Sequence, residues 1–291
     1  MELSTTVNFF ILEHNKGMQP YFDELRNYKE LGFSKLDCIF CNATEPDSPL
    51  RRDDWMQWGE QIAQESRRLG ITYPQCHMPY YNFAASPTAL DSDLEELIRR
   101  SVILAATLGA PWTVSHPATA YGEWNMTEAS KKVNLAYFSR YVALGEQYHI
   151  GIAIENMADF PGQGYKRSYC ATVEELCDLV DSLNSPYAGI CWDFGHANLV
   201  YQEQAPCLRA IGKRLKALHV HDNKGDTDSH LPPFFGNVAW EQLLPVLPEI
   251  GYRGEFSFEI KRIPWRLPKE LRNAQWIYAK TAGTYLLSLI S

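Results

Sequence analysis

No hydrophobic run in the 291 residues approaches the roughly 20 apolar residues that cross a bilayer. Basic charge is not in excess either. The net charge is −8, with 27 Lys and Arg against 35 Asp and Glu, which argues against nonspecific binding to nucleic acid or to an anionic membrane. The opening stretch MELSTTVNFFILEH lacks a basic segment, and its apolar run is too short for a secretory signal. Cysteine is sparse: seven residues, odd in number and scattered, fit free thiols in a reducing cytoplasm rather than a disulfide framework. The lone C-x-x-C, Cys38 to Cys41, sits in the strand-like run KLDCIFC without the second pair a zinc knot needs, so buried thiols are expected. No Gly-rich phosphate turn follows the first apolar run, NFFILEHNKG, which argues against a dinucleotide-binding open sheet and a nucleotide cofactor. No linker or low-complexity tract divides the chain, so one domain over residues 1–291 is expected.

What is present is a regular alternation. Strands are expected near Val7–Leu12, Ser34–Phe40, Thr72–His77, Trp112–His116, Ile150–Glu155, Tyr187–Asp193, Leu215–His221 and Glu255–Ile260. Amphipathic stretches lie between them, among them PYFDELRNYKELG, WMQWGEQIAQESRRLG and TVEELCDLVDSL. Thr172 and Glu175 are spaced as a capping box, and Gly32, Gly70, Gly109 and Gly251 follow helices as C-caps do. Eight strand–helix units in a chain of this length predict an α/β fold, a single (β/α)8 TIM barrel. Gly151, Ala153 and Glu155 share one strand face, as do Gly189, Cys191 and Asp193, and Ala217, His219 and His221. Small residues low in a strand and polar ones at its C-terminal end suit a barrel with its site on the top face.

Four strand ends carry that polarity: AIEN at Glu155, CWDFGH from Cys191 to His196, HVHDN from His219, and SFEIK at Glu259. Charged groups are costly to bury unless paired or bound to metal, so four such ends point to one shared site. His77 and His116 end two further strands, and Asp226, Asp228 and His230 follow the seventh. Six of the eight histidines, all but His14 and His149, fall at strand ends or in the loops after them. Oxygen and imidazole donors without adjacent thiolates suit one divalent ion: Mn, Mg, Co or Zn. A cation held by a substrate carbonyl and the neighbouring hydroxyl would polarise both and stabilise a cis-enediolate. Glu155 and Glu259 would then act as base and acid. Returning the proton to the neighbouring carbon gives an isomerase; returning it to the same carbon from the other face gives an epimerase.

At IENM, WDFGHAN, LHVHDNKG, SHLPPFFGNVAW and IGYRGEFSFEIKR the chain resembles the xylose isomerase-like TIM-barrel superfamily, over nearly its whole length. That resemblance implies metal-dependent action on a small sugar or polyol; the acidic balance adds the expectation of no nucleic-acid or membrane partner. It leaves a homo-oligomer open. By motif it makes Glu155, Asp193, one histidine of the HVH pair and Glu259 the metal ligands. A sugar-epimerase-like spacing selects His221; an endonuclease IV-like spacing selects His219. His221 is favoured, with His219 as the alternative. His196, His219, His77, His116, His230 and Lys261 are expected to line the substrate pocket, and Trp112, Trp124 or Phe235 to shield it. The superfamily also holds inosose dehydratases on the same metal scaffold and endonuclease IV with three zinc ions. Candidates for all nine of the latter's ligands are present: His77, His116, Glu155, Asp193, His196, His219, Asp228, His230 and Glu259. The acidic balance, CWDFGHA in place of C-x-D-T-C-H, and the FFGN turn all depart from that enzyme. Pro161 and Thr227 depart from the ketose 3-epimerase pattern, which has Glu and Arg there.

Overall fold

A computed structural model describes residues 1–85, 93–121, 126–159, 167–260 and 267–290. Strands β1 (Leu3–Val7), β2 (Lys35–Ile39), β3 (Thr72–His77), β4 (Trp112–Ser115), β5 (Gly151–Glu155), β6 (Ala188–Asp193), β7 (Leu215–His219) and β8 (Phe256–Phe258) form one parallel sheet. Its order is β7-β6-β5-β4-β3-β2-β1-β8. Val220 closes the ring: its N–H donates to Ser257 O at 2.8 Å, and its carbonyl accepts from Glu259 N at 3.0 Å. The fold is the (β/α)8 barrel that the alternation predicts.

Helices α1 (Gln19–Glu30), α2 (Trp55–Leu69), α3 (Asp93–Thr107), α4 (Thr127–Tyr148), α5 (Val173–Leu183), α6 (Phe194–Asn198), α7 (Ala205–Ile211), α8 (Trp240–Leu243), α9 (Val246–Glu249) and α10 (Lys269–Ser288) follow the strands in turn. In α2, Trp58, Ile62, Ala63 and Ser66 are buried at helical spacing. Gly70 then ends the helix at φ +65, while Ile71 N bonds back to Ser66 O at 2.8 Å. At Thr172 only half of the capping box forms. Thr172 Oγ1 accepts from Glu175 N, but the Glu175 carboxylate turns to Cys170 N at 3.0 Å.

The first strand lies earlier than expected. The run from Val7 to Leu12 is mostly not strand: Asn8 caps a 3₁₀ turn over Phe9–Ile11, its Oδ1 accepting from Phe10 N at 3.0 Å. Phe10 packs on Phe40 and Trp58, and Phe9 on Tyr21, so this apolar cluster fills the core instead of pairing. The pairing segment is LSTTV, rich in β-branched residues.

Inside the barrel Val114, Ala153, Cys191 and Ala217 form a small apolar layer, with Trp112 packed against it. Trp112 is the first residue of β4, at the floor of the barrel, and its ring occupies the space left by Gly151 and Gly189. A shield over the site from Trp112 is therefore ruled out; it stands at the opposite end. Phe235 packs edge-on against Tyr278 of α10, with centroids 5.2 Å apart. Trp124, Pro161 and Lys261 lie outside the described residues. None of the seven cysteines is in a disulfide. Among the described residues, no helix is long and apolar enough to cross a membrane.

Candidate metal centre

Four neighbouring strands converge on one buried cluster. Glu155 ends β5, Asp193 ends β6, His219 ends β7, and Glu259 follows β8. Donor atoms of these four all lie within 4.8 Å of one another. His219 Nδ1 stands 3.0 Å from Glu155 Oε1, 3.6 Å from Glu259 Oε2 and 4.0 Å from Asp193 Oδ2. His221, two residues past the end of β7, instead sets its Nε2 2.9 Å from Asp193 Oδ2. The three carboxylates thus close around His219, while His221 braces one of them.

Local sequence explains the positions. Asp193 Oδ1 caps α6, accepting from His196 N at 2.7 Å. The cap turns the chain of DFGH back so that His196 Nδ1 donates to Asn156 O at 2.9 Å. Asn156 in turn clasps Asp193, accepting from its N–H at 2.6 Å and donating to its carbonyl at 3.0 Å. Gly195 is obligatory for close approach: a Cβ there would overlap the His221 ring.

Two further groups flank the quartet. On one side His116 Nε2 and His77 Nε2 lie 3.0 and 3.3 Å from Glu155 Oε2. On the other, His230 Nε2 is 2.9 Å from Asp228 Oδ2, and His196 Nε2 is 3.9 Å from the same oxygen. The structure therefore gathers His77, His116, His196, His219, His221 and His230 about one centre.

Burial would raise the Glu155 carboxyl, but the imidazoles of His219 and His116 outweigh it and hold the group well below its ordinary range. Burial also opposes charge on His219 and His196. For His219, Cys191, Glu155 and Glu259 reverse it; for His196, the surrounding carboxylates, Asp193 first, push it up to about 9. Burial keeps His116 and His230 below the usual imidazole value.

The donor set fits a bound cation, and the histidine tautomers show why. His77 Nδ1 is 2.7 Å from Met78 O and His230 Nδ1 is 2.7 Å from Glu259 O. A carbonyl only accepts, so both rings carry their proton on Nδ1 and, when neutral, aim an Nε2 lone pair inward. In His230 that lone pair faces a carboxylate oxygen, two acceptors in near contact that a cation reconciles. Pinning one ring nitrogen to the backbone so that the other is free to ligate is the usual second layer of a metal site.

Four further contributors were not among the expected site residues. Asp37 and Gln75 lie inside the barrel beneath His219, and Asn156 ties β5 to β6. Asp222 organises the loop after β7. Its Oδ1 accepts from Asn223 N and Val238 N, and its Oδ2 from Phe234 N and Trp240 Nε1. The available signal was a carboxylate or amide set within or beside an apolar strand run.

Sequence comparison gives, among other relatives, an epimerase and a probable endonuclease. A D-psicose 3-epimerase of Enterocloster bolteae is 30% identical over 97 residues, 33% of this chain and 30% of that protein. A probable endonuclease 4 of Methanoculleus marisnigri is 30% identical over 176 residues, 53% of this chain and 57% of that protein. The chain spans less than two thirds of the length of the curated relatives it matches first. A crystal structure of a D-tagatose 3-epimerase-like protein superposes over 100% of this chain and 98% of its own, with a TM-score of 0.77 at 22% identity, a likeness of fold. Residues 25–280 match the family described as xylose isomerase-like TIM barrel, and the chain belongs to that family.

Proposed function

We propose that the protein is a divalent-metal-dependent epimerase or isomerase of a small sugar or polyol-derived ketone. The observation that carries this reading is the quartet of Glu155, Asp193, His219 and Glu259, whose donor atoms fall within 4.8 Å. These residues would hold the ion, which when bound polarises a substrate carbonyl and the hydroxyl beside it. His219 takes the ligand place here rather than His221, because its Nδ1 is the one facing three carboxylates. Glu155 is ionised at neutral pH, the state a base requires, and takes a proton from the carbon next to the carbonyl. Glu259 returns one. His196, His77, His116 and His230 ring the quartet and would bind substrate hydroxyls. Partial sequence similarity to a D-psicose 3-epimerase supports the substrate class.

One observation favours a second reading. The inward lone pairs of His77 and His230, each beside a carboxylate, could hold two further ions, and three metals suit hydrolysis of a phosphodiester. Partial sequence similarity to a probable endonuclease 4 points the same way. Titrating the chelator-treated protein with Mn²⁺, Co²⁺ and Zn²⁺ separates them. One tight ion per chain supports the epimerase reading; three zinc ions of similar affinity would replace it with the hydrolase.

A further inference from the structure

Asp37 lies in the middle of β2 with none of its surface exposed, inside the barrel and below the quartet. A carboxylate there is costly unless it is answered. Its Oδ2 accepts from Gln75 Nε2 at 2.7 Å and lies 3.4 Å from His219 Nε2. Gln75 Nε2 also donates to Leu218 O at 3.1 Å, so the same amide is tied to the backbone one residue before His219. The opposite ring nitrogen, Nδ1, is the one that meets Glu155, Glu259 and Asp193. Asp37 and the three quartet carboxylates thus address the two nitrogens of one imidazole from opposite sides.

We propose that Asp37, steadied by Gln75, is a positioning residue that accepts the Nε2 proton of His219 and so keeps the Nδ1 lone pair on the cation side. This inference rests on the metal reading above. A carboxylate behind a ligating imidazole fixes its tautomer and orientation and makes it a stronger donor. An apolar residue would fill the same volume without that effect. The remaining quartet members are carboxylates, with no tautomer to fix, so a device of this kind is needed only beneath His219.

The test compares wild type with Asp37→Asn and Asp37→Glu. Zn²⁺ affinity is measured by competition with a chromophoric chelator, alongside the thermal midpoint of the metal-free protein. The zinc-loaded, ¹⁵N-labelled protein is examined for the slowly exchanging imidazole N–H of His219. The expected result for Asp37→Asn is about 10- to 100-fold weaker zinc binding and loss of that N–H signal, with partial recovery in Asp37→Glu. If Asp37→Asn does not fold, Gln75→Leu carries the test, with a smaller loss in the same direction. Unchanged affinity and an unchanged N–H signal, in a protein whose wild type binds zinc, would overturn the role of Asp37 alone. A wild type that binds no divalent ion would overturn the metal reading and this inference with it.

Discussion

His219 and Glu155 meet at 3.0 Å, Nδ1 to Oε1, with both side chains shut off from solvent. The second oxygen of Glu155 faces His116 and His77, so one carboxylate joins the quartet to a flanking histidine pair. Removing it uncouples both. Glu155→Gln is expected to abolish tight metal binding and to lower turnover by at least the roughly 10²- to 10⁴-fold attributable to one acid–base group. Metal titration and kinetics check this, with far-ultraviolet circular dichroism to show that the fold persists. Retained turnover would remove Glu155 from the proton pathway.

The two histidines of HVH are predicted to separate cleanly. His219→Gln takes away a ligand and should eliminate binding at the quartet. His221→Gln takes away the Nε2 contact that braces Asp193 and the stacking on His230, and should weaken binding by about 10- to 100-fold. Isothermal titration of both variants decides it. The reverse ranking would move the ligand role to His221.

Gly195 is predicted to tolerate no side chain. The overlap of an added Cβ with the His221 ring should cost about 1–3 kcal/mol and displace the brace on Asp193. Gly195→Ala should therefore lower both the thermal midpoint and metal affinity. A loss of stability alone, with affinity intact, would show that the His221 contact does not matter to the centre.

Proton and metal should compete. The surrounding carboxylates hold His196 at about 9 in the chain without metal, above its unfolded value near 6.5. A raised imidazole contributes stability that is complete below about pH 6.5 and is lost as pH rises through 9. The metal-free protein should accordingly become less stable across that window. Metal affinity should rise across it, with protons released on binding, as calorimetry in buffers of different ionisation enthalpy would show. An affinity independent of pH between 6.5 and 9 would contradict the placement of His196 beside the bound ion.

Much of this was readable from the chain because strand alternation is strict. Glu155, Asp193, His219 and Glu259 each sit where an apolar run ends, and period-2 counting puts them on the inner face. Choosing between His219 and His221 was beyond that counting, since both face inward. What tells them apart lies in three dimensions: Asp37 stands 3.4 Å from the His219 ring, and the space over Gly195 is filled by the His221 ring. Trp112 was misplaced because strand position says which face a residue takes, not which end of the barrel is near; the paired space at Gly151 and Gly189 is visible only in three dimensions. The first strand lies earlier than expected because Phe9 and Phe10 belong to an apolar run whose partners, Tyr21, Phe40 and Trp58, are distant in sequence.

The most direct measurement is carbon-bound deuterium uptake. Protein loaded in turn with Mn²⁺, Co²⁺, Mg²⁺ and Zn²⁺ is incubated in D₂O with a panel of ketoses, aldoses and inososes and followed by NMR. Proton transfer between Glu155 and Glu259 predicts deuterium at a carbon next to the carbonyl of at least one substrate, absent in Glu155→Gln and Glu259→Gln. No uptake across the panel, together with zinc-dependent cleavage of abasic duplex DNA, would contradict the account and establish the hydrolase in its place.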